Sequence, residues 1–169
     1  MSLSLHLAHS APASVETPLL VIVLPQPPVL DTALLDVDRA LGGALSRSIL
    51  RRDFRGGRDE TMLVIGGDSG TQRALMVGRG ALPLTRTSAR RAAAIGARQA
   101  MKLGTGAMHV YVPDATDEAV EGLAIGAAAG AWEYTDLRTP PPETERRLPL
   151  TSATRSDTRR NPDFSRPIG

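Results

Sequence analysis

The chain contains no cysteine, a single lysine and few aromatic residues. Phe, Tyr and Trp make up 3% of its 169 residues, although apolar residues as a whole make up 41%. The absence of cysteine excludes disulfides and thiolate metal sites, and it is compatible with a reducing compartment. Because aromatic side chains are scarce, the core has to be built from Ala, Leu, Val and Ile. At this length, one domain with its own core is expected.

Long hydrophobic runs are also missing. No apolar run approaches the roughly 20 residues that a membrane helix needs, so a soluble protein is expected. The cytoplasm is the expected compartment, with which the absence of cysteine is compatible. The first 14 residues, MSLSLHLAHSAPAS, are superficially like a signal peptide. They carry no Lys or Arg and contain polar residues throughout, and we therefore interpret them as mature protein.

Charge divides the chain into two parts. Residues 1–138 hold 14 basic and 14 acidic side chains, whereas residues 139–169 hold six arginines and four acids. The second segment also contains six prolines and almost no periodic apolar pattern. We therefore predict a domain over residues 1–138, followed by a Pro/Arg-rich linker or mobile tail over residues 139–169.

Strands and helices are predicted to alternate along the first part. Leu3, Leu5 and Leu7 alternate with polar residues, which predicts a strand with one buried face and with His6 on the solvent side. The apolar run from Leu19 to Leu24 fits a central strand that is covered on both faces. Further strands are predicted over residues 61–65, 75–77 and 107–112.

Three helices are predicted between these strands. The first is capped by Asp31, has Leu34, Leu41, Leu45 and Ile49 on one side, is kinked at Gly42 and Gly43 and ends near Asp53. The second begins at Thr85 or Thr87, has a mostly alanine inward face and ends at Gly104. The third is capped by Asp114 or Thr116. This order predicts an α/β three-layer sandwich, a mixed sheet with helices on both faces.

The third helix carries a stripe of glycines. Gly122, Gly126 and Gly130 recur every four residues and so share one face. Each glycine costs roughly 1 kcal/mol relative to alanine inside a helix. Three in register therefore predict a face that lies very close to another backbone, and a sheet is the expected neighbour. Tight packing is favoured here over a binding role.

Three segments together resemble the N-terminal domain of the leucyl aminopeptidase (cytosol aminopeptidase) family. They are ALGGALSRSILRRDFRG from Ala40 to Gly56, LMVGRGALPLTRTSARRAAAIGARQAMKLG from Leu75 to Gly104, and the stretch from Gly126 to Thr139. The likeness covers roughly residues 18–139. It implies an α/β sandwich with a macro-domain-like topology.

The resemblance also implies a function for a longer parent protein. Family members carry a larger C-terminal domain, in which a lysine, aspartates and a glutamate hold two divalent cations, zinc or manganese, for release of N-terminal residues from peptides. The metal-binding runs of that domain have no counterpart here. We expect a non-catalytic domain that assists assembly of a hexamer and access to the active sites, with its own catalytic domain as partner and no membrane contact.

No residue of this chain is predicted to be catalytic, to bind a cofactor or to ligate a metal. A two-metal hydrolase needs several carboxylates around both ions. Here the acids stand singly or at helix starts, as do Asp114, Asp117 and Glu118, where the helix dipole explains them. The histidines and hydroxyls also lack the spacing of a zinc site or a serine hydrolase. These residues are His6, His9 and His109, and Ser46, Ser69 and Ser88.

Two alternatives remain open. Glycines after two predicted strands, Gly66, Gly67 and Gly70 and then Gly78 and Gly80, offer backbone amides for a phosphate. Since macro domains bind ADP-ribose, a macro-like ligand-binding module is one alternative, with ordinary turn chemistry as the simpler explanation.

Nucleic-acid binding is the other alternative. Some bacterial relatives of the family contact DNA through this domain, and arginines are grouped in two sets. The sets are Arg47, Arg51, Arg52, Arg55 and Arg58, and Arg86, Arg90, Arg91 and Arg98. A solvated arginine face is the simpler explanation, because residues 1–138 are neutral overall.

Overall fold

A computed structural model describes residues 4–8, 10–66, 70–132 and 150–155. Its sheet has six strands: β1 (Leu5–Ala8), β2 (Leu20–Leu24), β3 (Thr61–Ile65), β4 (Arg73–Gly78), β5 (Ala107–Val112) and β6 (Leu150–Arg155). The order across the sheet is β1-β6-β5-β2-β4-β3. Every neighbouring pair is parallel except β3 and β4, which are antiparallel, so the predicted mixed sheet is confirmed.

Helices cover both faces of the sheet, as predicted. They are α1 (Thr32–Ala40), α2 (Ala44–Leu50), α3 (Arg86–Leu103) and α4 (Asp117–Ala131). One apolar cluster joins α3 and α4 to one face of the sheet, and a second joins α1 and α2 to the other. Within the described residues, no helix is long and apolar enough to cross a bilayer.

The central strand β2 separates the two clusters. Leu19, Val21 and Val23 belong to the α3/α4 side, whereas the alternate residues belong to the α1/α2 side. Every residue of β2 is buried. This confirms the prediction that an unbroken apolar run forms a strand covered on both faces, because the side chains of successive strand residues point to opposite faces.

The predicted first helix is divided in two by Gly42 and Gly43. Both glycines have positive φ angles, 63° and 77°, which are left-handed values that end a helix. The expected kink is therefore a complete break. The cap is confirmed, because Asp31 Oδ1 accepts a hydrogen bond from the Leu34 amide at 2.8 Å.

The mostly alanine inward face predicted for this helix is confirmed, because α3 buries Ala89, Ala92, Ala93, Ala97 and Ala100. The helix begins with a capping box formed by Thr85 and Ser88, and it ends at Gly104, whose φ is 65°. A Cβ at Gly96 would lie 2.9 Å from Val21 Cγ2. Small residues therefore bring this helix close to β2.

The glycine stripe of α4 faces α3 and not the sheet. A Cβ at Gly122, Gly126 or Gly130 would lie 2.3, 2.0 or 2.5 Å from the carbonyl oxygen of Arg86, Arg90 or Ala94, respectively. The prediction of a close backbone neighbour is correct, but the expected neighbour was wrong. The constant offset of 36 residues between these partners shows that the two helices run in the same direction.

The first strand differs from its prediction. His6 is exposed, as expected, but Leu5 and Leu7 are also 42% and 52% exposed, so the predicted buried face is not buried. The physical reason is that β1 lies at the edge of the sheet, beside β6 alone. Leu3 lies outside the described residues.

Strand β6 was not predicted. Its residues 150–155 fall inside the segment that we predicted to be a linker or mobile tail, and that prediction was wrong for these six residues. Pairing with both β1 and β5 explains the strand, because neighbours on two sides supply backbone hydrogen bonds that a weak local pattern does not reveal. Residues 139–149 and 156–169 lie outside the described residues, and for them the prediction stays a prediction.

Replacement of Gly126 by alanine tests the helix contact. Alanine is the better helix former, yet we expect Gly126→Ala to lower the free energy of unfolding by about 1–3 kcal/mol, because its methyl group would overlap the Arg90 carbonyl. Urea denaturation measures the change. The control is Gly106→Ala, since a Cβ at Gly106 has no atom within 4 Å. Equal stability of the two variants would contradict the contact.

Candidate functional site

The carboxyl ends of the parallel strands β2, β4 and β5 meet at one edge of the sheet, here called the carboxyl edge. The chain leaves β2 through α1 and α2 on one face and leaves β5 through α4 on the other, although these strands are neighbours. In open α/β sheets, ligands bind outside the carboxyl ends of strands at such a reversal. The carboxyl edge is therefore the place to examine for a site.

A hydrogen bond spans the gap between the ends of β2 and β5. The Tyr111 hydroxyl, on β5, donates to Asp31 Oδ2 at 2.6 Å. Asp31 follows β2 and caps α1 through its other carboxylate oxygen. Tyr111 is fully buried. The acid and the phenol at this position thus hold α1 against β5.

The loops beside β2 and β4 bond to one another through their backbones. The Gly80 amide donates to the Gly56 carbonyl at 3.0 Å, and the Gly78 amide donates to the Glu60 carbonyl at 2.8 Å. The Arg79 amide donates to the Leu24 carbonyl at 2.9 Å. These three amides are therefore used in joining loops, and they do not point at a ligand.

The Glu60 side chain and two glycines that contact neighbouring backbones also hold these segments together. The Glu60 carboxylate accepts hydrogen bonds from the amides of Gly57 and Arg55, at 2.8 and 3.1 Å. A Cβ at Gly56 would lie 2.0 Å from the Pro25 oxygen, and one at Gly78 would lie 2.0 Å from the Gly57 oxygen. Glycine is required at both positions because a Cβ would overlap a neighbouring backbone.

The two predicted glycine loops lie at opposite ends of the sheet. Ile65 pairs with Arg73, so Gly66 and Gly70 stand at the amino end of β4, whereas Gly80 follows its carboxyl end. Six residues of strand separate the ends, about 16 Å. The Gly66 amide is bonded to the Gln72 carbonyl at 2.8 Å. The loops therefore do not form one phosphate pocket, and Gly67 lies outside the described residues.

The described residues do not fit a zinc or manganese site. No three of their His, Asp or Glu side chains come together as metal ligands. His6 lies on β1 and His109 on β5, while β6 stands between those strands. His9 and Ser69 lie outside the described residues. Ser88 belongs to the α3 cap, and Ser46 donates its hydroxyl to Asp38.

Asp38 is a buried acid that sequence analysis missed. Its Oδ1 accepts hydrogen bonds from the amides of Leu45 and Ser46, at 2.8 and 3.1 Å, so it caps α2 from the preceding helix. The only signal for this cap in the sequence was the position of Asp38, an acid four residues before the Gly42–Gly43 break. Its role is structural, because the orphan amides at the start of a helix need an acceptor.

His109 is buried, with 1% of its surface exposed. Removal from water lowers the pKa of its imidazole from 6.5 to about 4, because burial disfavours the charged form. Its side chain lies on the α1/α2 face of β5, since its neighbours Met108 and Val110 belong to the other face. His109 is thus a buried residue of a strand.

The arginines of α3 differ in their partners. Arg91 binds the Asp59 carboxylate with two nitrogens, and the pKa of its guanidinium is raised by this hydrogen bonding and charge attraction. Arg86 pairs with Glu121. Arg90 and Arg98 line a groove of about 620 Å³ beside α4. Of the other predicted set, Arg47 donates to the Gly42 carbonyl, and Arg55 Nε donates to the Arg52 carbonyl.

Two aspartates on α1 offer a matched test of the buried cap. We expect Asp38→Ala to lower the free energy of unfolding by about 1–3 kcal/mol, because two amides lose their acceptor. Asp36→Ala removes an exposed partner of Arg39 and should change it by less than about 0.5 kcal/mol. Chemical denaturation measures both. Similar losses would refute the capping role.

Stability should also depend on pH through His109. Its folded-state pKa lies below the unfolded value, so its contribution is complete above pH 6.5 and is lost as the pH falls toward 4. Each unit of pKa difference corresponds to about 1.4 kcal/mol. We expect a shallower decline for His109→Gln than for the wild type, measured by urea denaturation from pH 7.5 to 4. The exposed His6→Gln is the control, and equal slopes for His109→Gln and wild type would contradict this.

The structure matches solved proteins of two kinds. A mutant of tomato leucine aminopeptidase superposes with a TM-score of 0.74 and 20% identity, covering 92% of this chain and 32% of that one. This chain thus spans about a third of the length of the tomato enzyme. The DarG macrodomains of Mycobacterium tuberculosis and Thermus aquaticus each give a TM-score of 0.59 at 10% identity. They cover 93% and 92% of this chain and are themselves covered completely, which confirms the macro-domain-like fold.

Sequence comparison defines the family. No curated protein sequence matches the chain. The family model described as "Cytosol aminopeptidase family, N-terminal domain" matches residues 21–141, which is well over half of the chain. The match includes β2 to β5 and all four helices. The chain therefore belongs to the cytosol aminopeptidase family and contains its N-terminal domain.

Proposed function

We propose that this chain is a non-catalytic domain of a metal-dependent leucyl aminopeptidase, and that it serves assembly of the parent enzyme and access to its active sites. The single observation that carries the proposal is the family match across residues 21–141. The likeness to the tomato enzyme, over 92% of this chain, supports it. The parent reaction would be release of N-terminal residues from peptides in the cytoplasm.

The use of the acidic side chains supports a structural role. Asp31 and Asp38 cap helices, and Glu60 joins two loops. Asp59 and Glu121 neutralise arginines of α3. Carboxylates that are committed to amides and guanidinium groups are poor candidates for the converging ligands of two cations. Zinc or manganese would therefore be held by the catalytic domain of the parent.

The partners of the domain follow from the same proposal. They are its own C-terminal catalytic domain and further copies of the subunit, with a hexamer as the expected assembly. The rigid contact between α3 and α4 supports a scaffold, because backbones that touch at three glycines have little freedom to shift. Such a body can hold a position beside an active site without taking part in the chemistry.

A macro-like ligand site is the second candidate. The superposition on two macrodomains favours it. The carboxyl edge argues against it, since the amides of Gly78, Arg79 and Gly80 are bonded to backbone carbonyls of neighbouring segments and Tyr111 is bonded to Asp31. A shared fold does not by itself transfer a ligand.

One experiment with two arms separates these functions. The purified chain is incubated with leucine p-nitroanilide and Mn²⁺ or Zn²⁺, with an active leucyl aminopeptidase as positive control. We expect no release of p-nitroaniline above the metal blank. In the second arm, 1 mM ADP-ribose should leave the melting temperature unchanged within about 1 °C, because binding to the folded state alone raises it. Turnover would overturn the non-catalytic proposal, and a saturable thermal shift would favour the macro-like alternative.

A further inference from the structure

A groove on the outer side of the α3/α4 layer has an arginine toward each end and apolar residues between them, and the Arg91–Asp59 ion pair also lines it. Arg90 and Arg98 line it from α3, together with Ile95, and Ile125 lines it from α4. Both arginines are exposed, and Ile125 is 40% exposed. The groove lies along the exposed side of the helix pair and reaches Asp59, whose amide donates to the Gly78 carbonyl at 2.9 Å.

The charges along this face are not balanced locally. Arg86 is paired with Glu121 and Arg91 with Asp59, whereas Arg90 and Arg98 have no ion pair with any residue that the structure describes. Eight residues of helix separate these two arginines, or about 12 Å along the axis. Although residues 1–138 are neutral as a whole, these two guanidinium groups have no acidic partner among the residues that the structure describes.

The spacing and the floor of the groove indicate the kind of ligand. In an extended peptide, residues four positions apart lie about 13 Å from each other and point to the same side, as does the residue midway between them. Carboxylates at the two outer positions would reach Arg90 and Arg98, while an apolar side chain at the middle position would rest on Ile95 and Ile125. Arginine and carboxylate groups match well in geometry.

Nucleic acid fits this groove less well. No aromatic residue lines it, so unpaired bases would find no stacking platform. The isoleucines between the arginines offer nothing to a phosphate backbone.

We infer that this groove is a docking site for an acidic segment of another polypeptide, bound in extended form with an apolar side chain between two carboxylates. The inference rests on the geometry of α3 and α4. It would hold whether or not the chain serves an aminopeptidase. Exposed ion pairs are weak, and so the expected affinity is low and depends on salt.

A designed peptide tests the inference. The probe is the acetylated and amidated peptide GEALAEG, titrated into the full ¹⁵N-labelled chain at low salt and followed by the amide shifts of Ile95 and Ile125. We expect saturable shifts, and about three- to tenfold weaker binding to the Arg90→Ala/Arg98→Ala variant. The matched control is Arg51→Ala/Arg55→Ala, which removes two exposed charges from the α2 end and the loop after it. It should bind as the wild type does.

Peptide variants and DNA complete the design. GQALAQG should bind more weakly because it lacks the carboxylates, and GEASAEG because it lacks the apolar anchor. Equal binding of the probe to the wild type and to Arg90→Ala/Arg98→Ala would overturn the inference, as would an absence of saturable shifts. So would a 20-base-pair duplex that binds more tightly than the peptide and shifts the same amides, since it would make nucleic acid the occupant.

Discussion

The contact between the backbones of α3 and α4 is the constraint on which this fold depends most. At three successive turns, a glycine of α4 presents only hydrogen to a carbonyl oxygen of α3. Such an approach allows weak Cα–H···O attraction and close van der Waals packing, and it compensates in part for the low helix propensity of glycine. It also allows small side chains to fill the space above the sheet, which explains how a chain with 3% aromatic residues builds a dense core.

Close contact between backbones is also found at the carboxyl edge. Glycines there allow neighbouring backbones to touch, and the side chains of Glu60, Asp31 and Tyr111 form hydrogen bonds within the protein. A macrodomain-like topology is thus combined with an edge whose polar groups already have partners.

Much of the fold could be predicted because the relevant signals are local. The apolar run of β2, the alanine face of α3 and the caps at Asp31 and Thr85 each depend on a few neighbouring residues, and the structure confirms them. The glycine stripe correctly predicted a close neighbour. It could not identify that neighbour, because periodicity shows which residues share a face and not what lies against it.

The features that sequence analysis did not predict depend on contacts between residues that are not neighbours in sequence. The cap formed by Asp38 crosses a helix break, the Tyr111–Asp31 bond joins residues 80 positions apart, and β6 pairs with β1 and β5, which are both distant from it in sequence. No window of local sequence contains these relationships. The predicted phosphate site fails for the same reason. Both glycine loops follow predicted strands in the sequence, but they lie at opposite ends of β4 and cannot form one pocket.

The position of β6 has a consequence for how the molecule is made. Among the strands that the structure describes, β1 is synthesised before all the others and β6 after them, yet in the sheet β1 bonds only to β6. The residues of β1 therefore lack their strand partner until some 140 further residues have been synthesised. A nascent chain that ends before β6 can pair the four strands from β2 to β5, and β1 joins this sheet only when β6 inserts between β1 and β5.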